Sequence, residues 1–453
     1  MKIKSSLIIC LLLVVFPIVA YGQEYSLDEL FVLSLERSET IKISEEDLSI
    51  ADLNRKKALS ALIPTFSAFA NHTNYTEEKS SALGLVQPDY TNQWGLKVEQ
   101  TFSLSGRELT AYSMAKDFIE KGRYSLQSVK GKQLLDVAAS YFNVVKSKKA
   151  REIATANVER LEKHRNASRT RVEVGDATKT TLLRAEAELA GARSELIVAE
   201  NSILLLKSVL ASMVGIEGDI KVKEPQMLAD SNDRSVINEI TENCEKEVLA
   251  CLKDRARNDR AEIRSLNIDL SIAEKNVNYN RGSYWPKLTV EGVYFREENK
   301  PARSFELQES IYGAIKFDFP FYEGGLRRAE VAESKAKLRQ AEHILDDSTR
   351  LINIEIEEAY LHLKTVSSII NHLKAEMTYA TDNFNSVEKQ FLHGLADSID
   401  VIDANTLLVT AEIKLANSQY NYQNAIIRLK HAVGVLLESI EAHQSADVSG
   451  NGK

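Results

Sequence analysis

The chain contains one long segment twice, and corresponding residues of the two copies are separated by a constant offset. The first copy runs from Val174-Gly175 to Val214-Gly215, and the second runs from His393-Gly394 to Val433-Gly434. The same offset relates Gly175/Gly394, Ala185/Ala404, Ala192/Ala411, Leu196/Leu415, Leu210/Leu429 and Gly215/Gly434. Because a fixed self-similarity defines an architecture before any single residue is interpreted, the chain is predicted to consist of two fused copies of one unit.

The beginning of the chain has the pattern of a secretory signal peptide. Lys2 and Lys4 are followed by an apolar run from Leu7 to Val19 and then by Ala20-Tyr21-Gly22, whose small residues suit a signal peptidase. A membrane anchor is the alternative, but a spanning helix needs roughly 20 apolar residues. We therefore expect residues 1–22 to be removed by cleavage after Gly22.

The charge and hydropathy of the remaining chain narrow the classes of partner. Loss of two lysines with the signal peptide takes the formal net charge from −8 to −10, which gives no support to nucleic-acid binding. No later segment has 18 apolar residues in succession, so we do not expect a membrane-spanning helix. Any insertion into a membrane would then have to use β-strands.

Two stretches without proline, from Arg107 to Glu224 and from Phe321 to Lys453, are rich in Ala, Leu, Glu, Lys and Arg. Since proline inside a helix costs about 3 kcal/mol, such stretches predict long helices. The segment from Arg107 to Val174 would form one helix roughly 100 Å long, too long for a compact globule. Gly175 and Gly394 are then predicted to lie at the tips of two helical hairpins.

Before each long helix the chain alternates between apolar and polar residues. This alternation runs from Tyr90 to Leu104 and from Ile311 to Phe321, and partner strands are expected after Pro64 and Pro286. Strands of about ten residues with this pattern fit a transmembrane β-barrel, although a half-buried soluble sheet alternates in the same way. The signal peptide and the aromatic residues at strand ends favour the barrel. Since four strands cannot close a barrel, we expect an oligomer, with eight strands in a dimer or twelve in a trimer.

Five short motifs follow one another along almost the whole mature chain. They are Val174-Gly175-Asp176-Ala177-Thr178, Leu182-Leu183-Arg184-Ala185-Glu186-Ala187-Glu188-Leu189, Phe321-Tyr322-Glu323-Gly324-Gly325, Ile399-Asp400-Val401-Ile402-Asp403-Ala404 and Ala416-Asn417-Ser418-Gln419-Tyr420-Asn421-Tyr422. In their order, spacing and duplication they resemble the TolC-like outer-membrane efflux proteins, or outer membrane factors. The resemblance extends from a predicted helix at Ser26–Ala61 to Leu437.

The resemblance implies an α+β membrane protein with a duplicated strand-strand-helix-helix repeat. Three chains would form a twelve-stranded transmembrane β-barrel, continued by a periplasmic α-helical coiled-coil tunnel. The implied divisions are a signal peptide at 1–22, a first repeat at 23–215 with barrel strands within 64–104, an equatorial linker at 216–257, a second repeat at 258–437 with barrel strands within 286–322, and a tail at 438–453 that we expect to be disordered.

The function implied by the resemblance is that of a channel. The homotrimer would lie in outer-membrane lipid, extend into the periplasm, and serve a tripartite efflux pump as the passive exit duct for small molecules. An inner-membrane transporter would drive export through a periplasmic adaptor, a membrane fusion protein. One alternative is the outer-membrane component of a type I protein secretion system, and another is a soluble periplasmic coiled-coil interaction protein. Neither the cargo nor the transporter class follows from the sequence.

The sequence contains no constellation typical of an enzyme. No glycine-rich phosphate loop opens a helix, and the eight histidines have no paired metal-ligand spacing. We therefore expect no catalytic residue, no bound metal and no cofactor, and we expect each histidine to be solvated. Cys244 and Cys251 are seven residues apart, so on a continuous helix their Cα atoms would be about 10 Å apart, too far for a disulfide. A bridge would require a helix break between them; two free thiols are the alternative.

Two acidic residues are the candidate gate. Asp400 and Asp403 lie one helical turn apart at the start of the helix that follows the Gly394 tip. They could simply complement the helix dipole, an effect of about 0.3–1 kcal/mol. The resemblance implies instead that three copies of each form carboxylate rings at the periplasmic constriction, which would repel anions and bind cations.

The two hairpin tips are the candidate docking surface for the adaptor. By the same resemblance, Val174, Gly175, Thr178, Gly394 and Leu395 would contact the adaptor. The alternative is that both glycines only terminate helices, a role that docking would not remove.

The sequence also departs from the family pattern at the tips. Ala396 stands where relatives place an arginine, Thr181 stands where they place an aspartate, and Phe391 stands in place of a tyrosine. The latch of those relatives is therefore in doubt here. The closed gate would be held by packing and by the placement of the aspartates, or by another pair such as Lys179 with Asp397.

The departure at residue 396 leads to a test. Ala396→Arg is expected to lower the resting conductance of the reconstituted trimer, because it restores a cation that can bond across the tip. Planar-bilayer recordings of the wild type and the variant would measure this. Equal conductances would show that the missing arginine does not set the resting openness.

Overall fold

The computed structural model describes residues 24–81, 84–225, 233–241, 247–302 and 308–442. In chain order the elements are β1 (Glu24–Tyr25), α1 (Leu27–Arg37), α2 (Glu39–Ser60), β2 (Thr65–Asn74), β3 (Lys79–Ser81), β4 (Gly84–Gln87), β5 (Tyr90–Ser103), α3 (Arg107–Glu173), α4 (Lys179–Val214), β6 (Lys221–Val222), α5 (Asp233–Thr241), α6 (Val248–Asp259), α7 (Ala261–Arg281), β7 (Lys287–Lys300), β8 (Glu309–Asp318), α8 (Leu326–Leu392) and α9 (Ser398–Val433). The predicted signal peptide lies outside the described residues.

The four long strands form one antiparallel sheet in the order β2-β5-β7-β8. The central pair β5–β7 joins the two halves of the chain and runs from the Tyr90–Lys300 pair to the Ser103–Lys287 pair without a break. Strands β2 and β8 form the two edges. One face of this sheet is apolar and exposed, with Phe66, Trp94, Leu96, Phe102, Val290, Ile311, Ile315 and Phe317 on it.

The helices repeat in length as well as in sequence. Both α3 and α8 have 67 residues, and both α4 and α9 have 36 residues. The first and last residues of α8 and α9 follow those of α3 and α4 by the same offset that separates the two copies in the sequence. A helix of 67 residues is about 100 Å long. The four helices form two antiparallel hairpins, α3 with α4 and α8 with α9, and α3 also packs against α9.

The apolar core follows the helices in separate clusters. One cluster joins Leu30 of α1 with Leu134 and Tyr141 of α3 and Leu210 of α4. A second surrounds Ile356 and Leu363 of α8 and includes Leu252 of α6 and Leu429 of α9. A third lies near the α8–α9 turn and contains Phe384, Phe391, Val401 and Leu408. Each cluster is built from residues on the facing sides of amphipathic helices.

Several elements differ from the sequence predictions in their bounds. The first helix is split at Ser38, so that two helices replace the single predicted one. Strand β7 has 14 residues, from Lys287 to Lys300, and is longer than the predicted strands of about ten residues. The preceding loop between β2 and β5 contains the short antiparallel pair β3–β4. The disordered tail predicted from residue 438 is wrong for its first residues, because residues 436–442 are helical and Ile440 is buried in the first cluster.

One helix among the described residues passes a length-and-composition criterion for a membrane span, and the absence of a spanning helix stays a prediction. Helix α4 is long and apolar enough to span a membrane by length and composition alone, and only 22% of its apolar window is buried within this chain. Its exposed apolar residues include Ile197, Val198, Leu204 and Leu205. The sequence has no uninterrupted run of 18 apolar residues here, because charged and polar residues such as Glu200 and Lys207 divide the apolar part of α4.

Of the two cysteines beyond the predicted signal peptide, the structure describes Cys251. Cys251, in α6, is disulfide-bonded, which excludes a free thiol at this position. Cys244 lies outside the described residues. Helix α6 begins at Val248, so the described part of the chain has no continuous helix running through both positions.

The glycines after the helices generate a stability prediction. Gly434, which follows α9, has φ +92°, and a Cβ there would lie 2.9 Å from the Cα of Arg260. Gly394 has φ +77°, but the atom nearest to its added Cβ would be a side-chain nitrogen of Arg171, at 3.8 Å. We expect Gly394→Ala to lower the free energy of unfolding by about 1 kcal/mol, and Gly434→Ala to lower it by ~3 kcal/mol or more because backbone has to move.

Thermal unfolding of the detergent-solubilised variants, followed by circular dichroism, would measure the difference. Gly175→Ala is the matched control, since its φ is +87° and an added Cβ would meet nothing within 4 Å. Equal losses for the three variants would contradict the contact at Arg260.

Candidate gate at the helical tips

Both hairpin tips are built by the same turn. Helix α3 ends with the Gly175 amide donating to the Val172 carbonyl at 3.2 Å and the Asp176 amide donating to the Arg171 carbonyl at 2.8 Å. Helix α8 ends in the same way at the equivalent place in the second copy, with bonds from Gly394 to Phe391 and from Leu395 to Gln390. In both turns the glycine is left-handed, as this type of helix ending requires. Asp176 and Leu395 thus hold equivalent places.

The predicted docking residues all lie at the surface of these turns. Val174 is 66% exposed and Leu395 is 78% exposed, and Gly175, Thr178 and Gly394 are exposed as well. An exposed valine and an exposed leucine at the end of a long helical hairpin are apolar contact points that this chain leaves uncovered.

The predicted gate residues lie in the first turns of α9. Asp397 is the N-cap of this helix, and Asp400 completes a capping box in which the Asp397 amide donates to Asp400 Oδ2 at 2.8 Å. Asp403 lies three residues further on and is exposed, as Asp400 is. Asp400 therefore has a structural role within one chain, because it satisfies an amide that the helix itself leaves free.

The equivalent turn in the first copy is chemically different. Helix α4 begins after Thr178, whose hydroxyl lies 3.3 Å from the hydroxyl of Thr181, and its first turn contains no acidic residue. Acidic residues in the first turn of the helix that follows the tip are therefore found only in the second copy. No ion pair joins Lys179 to Asp397 within this described part of the chain.

The tip of the second hairpin is held by α3 instead. The Arg171 guanidinium donates from Nη1 to the Phe391 carbonyl at 3.2 Å and lies over the Phe391 ring, 4.8 Å from its centroid. Phe391 is 1% exposed, so its ring fills the space beneath the turn. Arg171 thereby binds a carbonyl at the carboxyl end of α8, where a cation is favourable.

A buried histidine lies directly behind this contact. His164 Nε2 is 2.8 Å from the Ser398 hydroxyl, and its ring lies 4.8 Å from the ring of Phe391. The residue is 6% exposed, so the prediction that every histidine is solvated is wrong for His164. Burial lowers the pKa of His164 to about 4, because the charged imidazolium would lose its hydration.

Further along α3 the same face remains polar. Asn405 Nδ2 donates to Asn157 Oδ1 at 2.7 Å, and Arg160 Nε donates to Asn405 Oδ1 at 3.0 Å. Arg160 also forms a two-pronged pair with Glu412, at 3.2 and 3.0 Å. Both asparagines are buried, so their amides need these partners.

We call the α3 residues Asn157, Arg160, His164 and Arg171, with their partners on α8 and α9, the tip seam. Spacings of three, four and seven residues place these four side chains on one side of α3. That spacing was the available sequence signal. The sequence alone does not identify these residues as buried, because polar residues on a helix usually mark a face exposed to solvent. The fold shows that α9 covers this face of α3.

The chain is similar in sequence to known proteins. The model of the family described as "Outer membrane efflux protein" matches residues 30–215 and 252–435. Outer membrane protein TolC of Vibrio cholerae is 22% identical over 313 residues, covering 67% of this chain and 68% of TolC. The alkaline protease secretion protein AprF of Pseudomonas aeruginosa is 20% identical over 307 residues, covering 68% of this chain and 62% of AprF.

The fold agrees with solved structures as well. The outer-membrane channel OprN superposes with a TM-score of 0.77 at 14% sequence identity, covering 90% of this chain and 89% of OprN. At this identity the likeness concerns the fold alone.

The buried imidazole generates a pH prediction. Since the folded pKa of about 4 lies below the ordinary value of 6.5, the contribution of His164 to stability is complete above pH 6.5 and is lost as the pH falls towards 4. We expect the free energy of unfolding of the wild type to fall by about 2 kcal/mol more than that of His164→Gln between pH 7.5 and 4.5. Glutamine can still bond Ser398 but does not titrate.

Urea unfolding of detergent-solubilised protein at the two pH values would measure this difference. His343→Gln, at an exposed position on α8, is the matched control and should behave as the wild type does. An unchanged pH dependence in His164→Gln would show that His164 is not held neutral by the fold.

Proposed function

The chain belongs to the outer membrane efflux protein family, and from that premise we propose that three copies form the outer-membrane exit channel of a tripartite efflux pump. Its relatives are named outer membrane proteins, and the outer membrane is the location of this chain. The duct is passive and carries small molecules, while an inner-membrane transporter supplies the energy.

The observation that carries this proposal is the open four-stranded sheet. Its apolar face exposes large side chains, with Ile311 81% and Phe66 80% exposed. Its edge strands β2 and β8 would leave backbone groups unpaired in lipid, which is prohibitively unfavourable. Pairing β8 of one copy with β2 of the next satisfies these groups, and three copies give a closed barrel of twelve strands.

The helices support the same assembly. Exposed apolar residues follow α4, including Leu204 and Leu205, and follow α8, including Leu351 and Ile354. Such faces are stable in water only when they are covered. In a trimer the hairpins of neighbouring copies cover one another and enclose a periplasmic tunnel that continues the barrel.

At the end of this tunnel Asp400 and Asp403 form the gate. Three copies of each carboxylate would surround the axis and attract cations while repelling anions. The tip seam supports this role within each chain, since Arg171 and His164 fix the turn from which α9 starts. The seam takes the place of the latch that Ala396 and Thr181 do not provide.

The exposed tips are the docking surface. Val174 and Leu395 present apolar side chains beside Gly175, Thr178 and Gly394. We assign these five residues to contact with a periplasmic adaptor, the membrane fusion protein that links the channel to its transporter.

A second candidate function is type I protein secretion. The similarity to a protein named for alkaline protease secretion favours it, at 20% identity. Membership of an outer-membrane family speaks against the soluble periplasmic interaction protein.

The gate generates the test of this function. Wild-type protein should fractionate with the outer membrane, migrate as a heat-sensitive trimer and conduct in planar bilayers. The double variant Asp400→Asn/Asp403→Asn should reduce the preference for potassium over chloride by about threefold or more, because six carboxylates leave the narrowest point. The reversal potential in a salt gradient measures this ratio.

Asp176→Asn is the matched control, since it removes a carboxylate from the other tip. Monomeric protein in the periplasmic fraction would refute the channel. A conducting trimer whose preference for potassium over chloride is the same in the wild type and the double variant would refute only the role of Asp400 and Asp403 as the gate.

A further inference from the structure

Four charged side chains form a row across the polar face of the sheet. Lys97 and Glu99 come from β5, Glu291 comes from β7 and Lys316 comes from β8. Glu291 Oε1 lies 2.8 Å from Lys316 Nζ, and Glu291 Oε2 lies 3.6 Å from Lys97 Nζ. Lys97 also contacts Glu99. We call these four residues the charged row.

The strand register explains why the row needs its lysines. Glu99 and Glu291 are directly opposite one another on β5 and β7. Two like charges in that position repel each other, and each would destabilise the pairing. Lys97 lies between the two carboxylates and contacts both, so that the repulsion is offset.

The members of the row differ in exposure. The side chain of Glu291 is 4% exposed, whereas that of Lys316 is 61% exposed and that of Lys97 is 33% exposed. A carboxylate as buried as this is stable only when it is paired. Glu291 is therefore the shielded centre of the row, and the lysine ammonium groups lie nearer the open side.

The row lies on the side of the sheet opposite the exposed apolar face. On β5 the apolar residues Leu96 and Val98 alternate with Lys97 and Glu99, and successive side chains of a strand point to opposite faces. If the apolar face contacts lipid, as the proposed trimer requires, the charged row faces the barrel lumen. The inference below rests on that proposed function.

Aromatic side chains lie on the same face directly above the row. The Phe69 ring covers Gly95, where an added Cβ would lie 2.9 Å from Phe69 Cζ. The rings of Phe295 and Tyr312 are in edge contact, with centroids 6.3 Å apart. These rings are therefore the neighbours of the charged row on the same face of the sheet.

We propose that Glu291 is a specificity-determining residue that sets the net charge of this row in the barrel lumen. With Glu291 ionised, the charged row contains two cations and two anions and is neutral. The row itself then favours neither cations nor anions, and selection by charge occurs at the acidic tips. Without Glu291 each chain gains one uncompensated lysine, and a trimer presents three positive charges to anionic cargo.

Paired variants test this inference in a background in which Asp400→Asn/Asp403→Asn removes the proposed gate carboxylates. In that background Glu291→Gln should raise the permeability of chloride relative to potassium by about twofold or more, and Lys316→Gln should change the ratio by a similar factor in the opposite direction. Reversal potentials in planar bilayers measure both. Lys79→Gln, in the loop strand β3, removes the same charge away from the lumen and should leave the ratio unchanged.

Opposite shifts distinguish a charge effect from a loss of structure, which would not depend on the sign of the charge removed. If Glu291→Gln does not assemble, Lys316→Gln alone tests the inference. A permeability ratio that shifts towards potassium in Lys316→Gln would support it. Unchanged ratios, or shifts in the same direction, in channels that conduct would overturn the inference and leave the channel function standing. A wild-type protein that forms no conducting trimer would overturn both.

Discussion

The rest of this structure depends on the unpaired backbone of two edge strands. Strands β2 and β8 are the two edges of the sheet, and along its outer side each has a row of amide and carbonyl groups that are not hydrogen-bonded to another strand of the described sheet. Water could satisfy those groups, but the exposed apolar face of the same sheet is unsuited to water. Lipid suits that face but cannot bond the edges. In the proposed trimer further copies of the chain meet both requirements, because β8 of one copy pairs with β2 of the next and the apolar face meets lipid.

Duplication and divergence contribute separately to the helical part. The repeated features are those that build a hairpin, namely helix length, the glycine that ends each helix and the bonds of each turn. The features found in one copy only are those that bear charge or bury polar groups. Asp400 caps α9, whereas α4 starts with threonines. The tip seam likewise joins α3 to the second tip, and the hairpins thereby become unequal partners.

Much of the architecture could be predicted from sequence because it is local. Proline positions, apolar period and turn glycines gave helix ends close to those observed, since each depends on neighbouring residues. The tip seam could not be predicted in this way. His164 is buried only because Ser398 and Phe391, which belong to the other half of the chain, pack against it. The burial of Ile440 could not be predicted from its neighbours either, because it depends on packing against the first cluster.

The length of α3 and α8 has a mechanical consequence. Each helix runs from the end of a sheet strand to a tip and has no proline in its interior. A tilt at the sheet end of such a helix therefore moves its far end. Over about 100 Å, a tilt of about 1° displaces the far end by roughly 1.7 Å. A slight tilt of the helices near the sheet therefore becomes a displacement of ångströms at the tips. Stiffness allows this geometry to transmit a small movement without any residue of the tip having to initiate it.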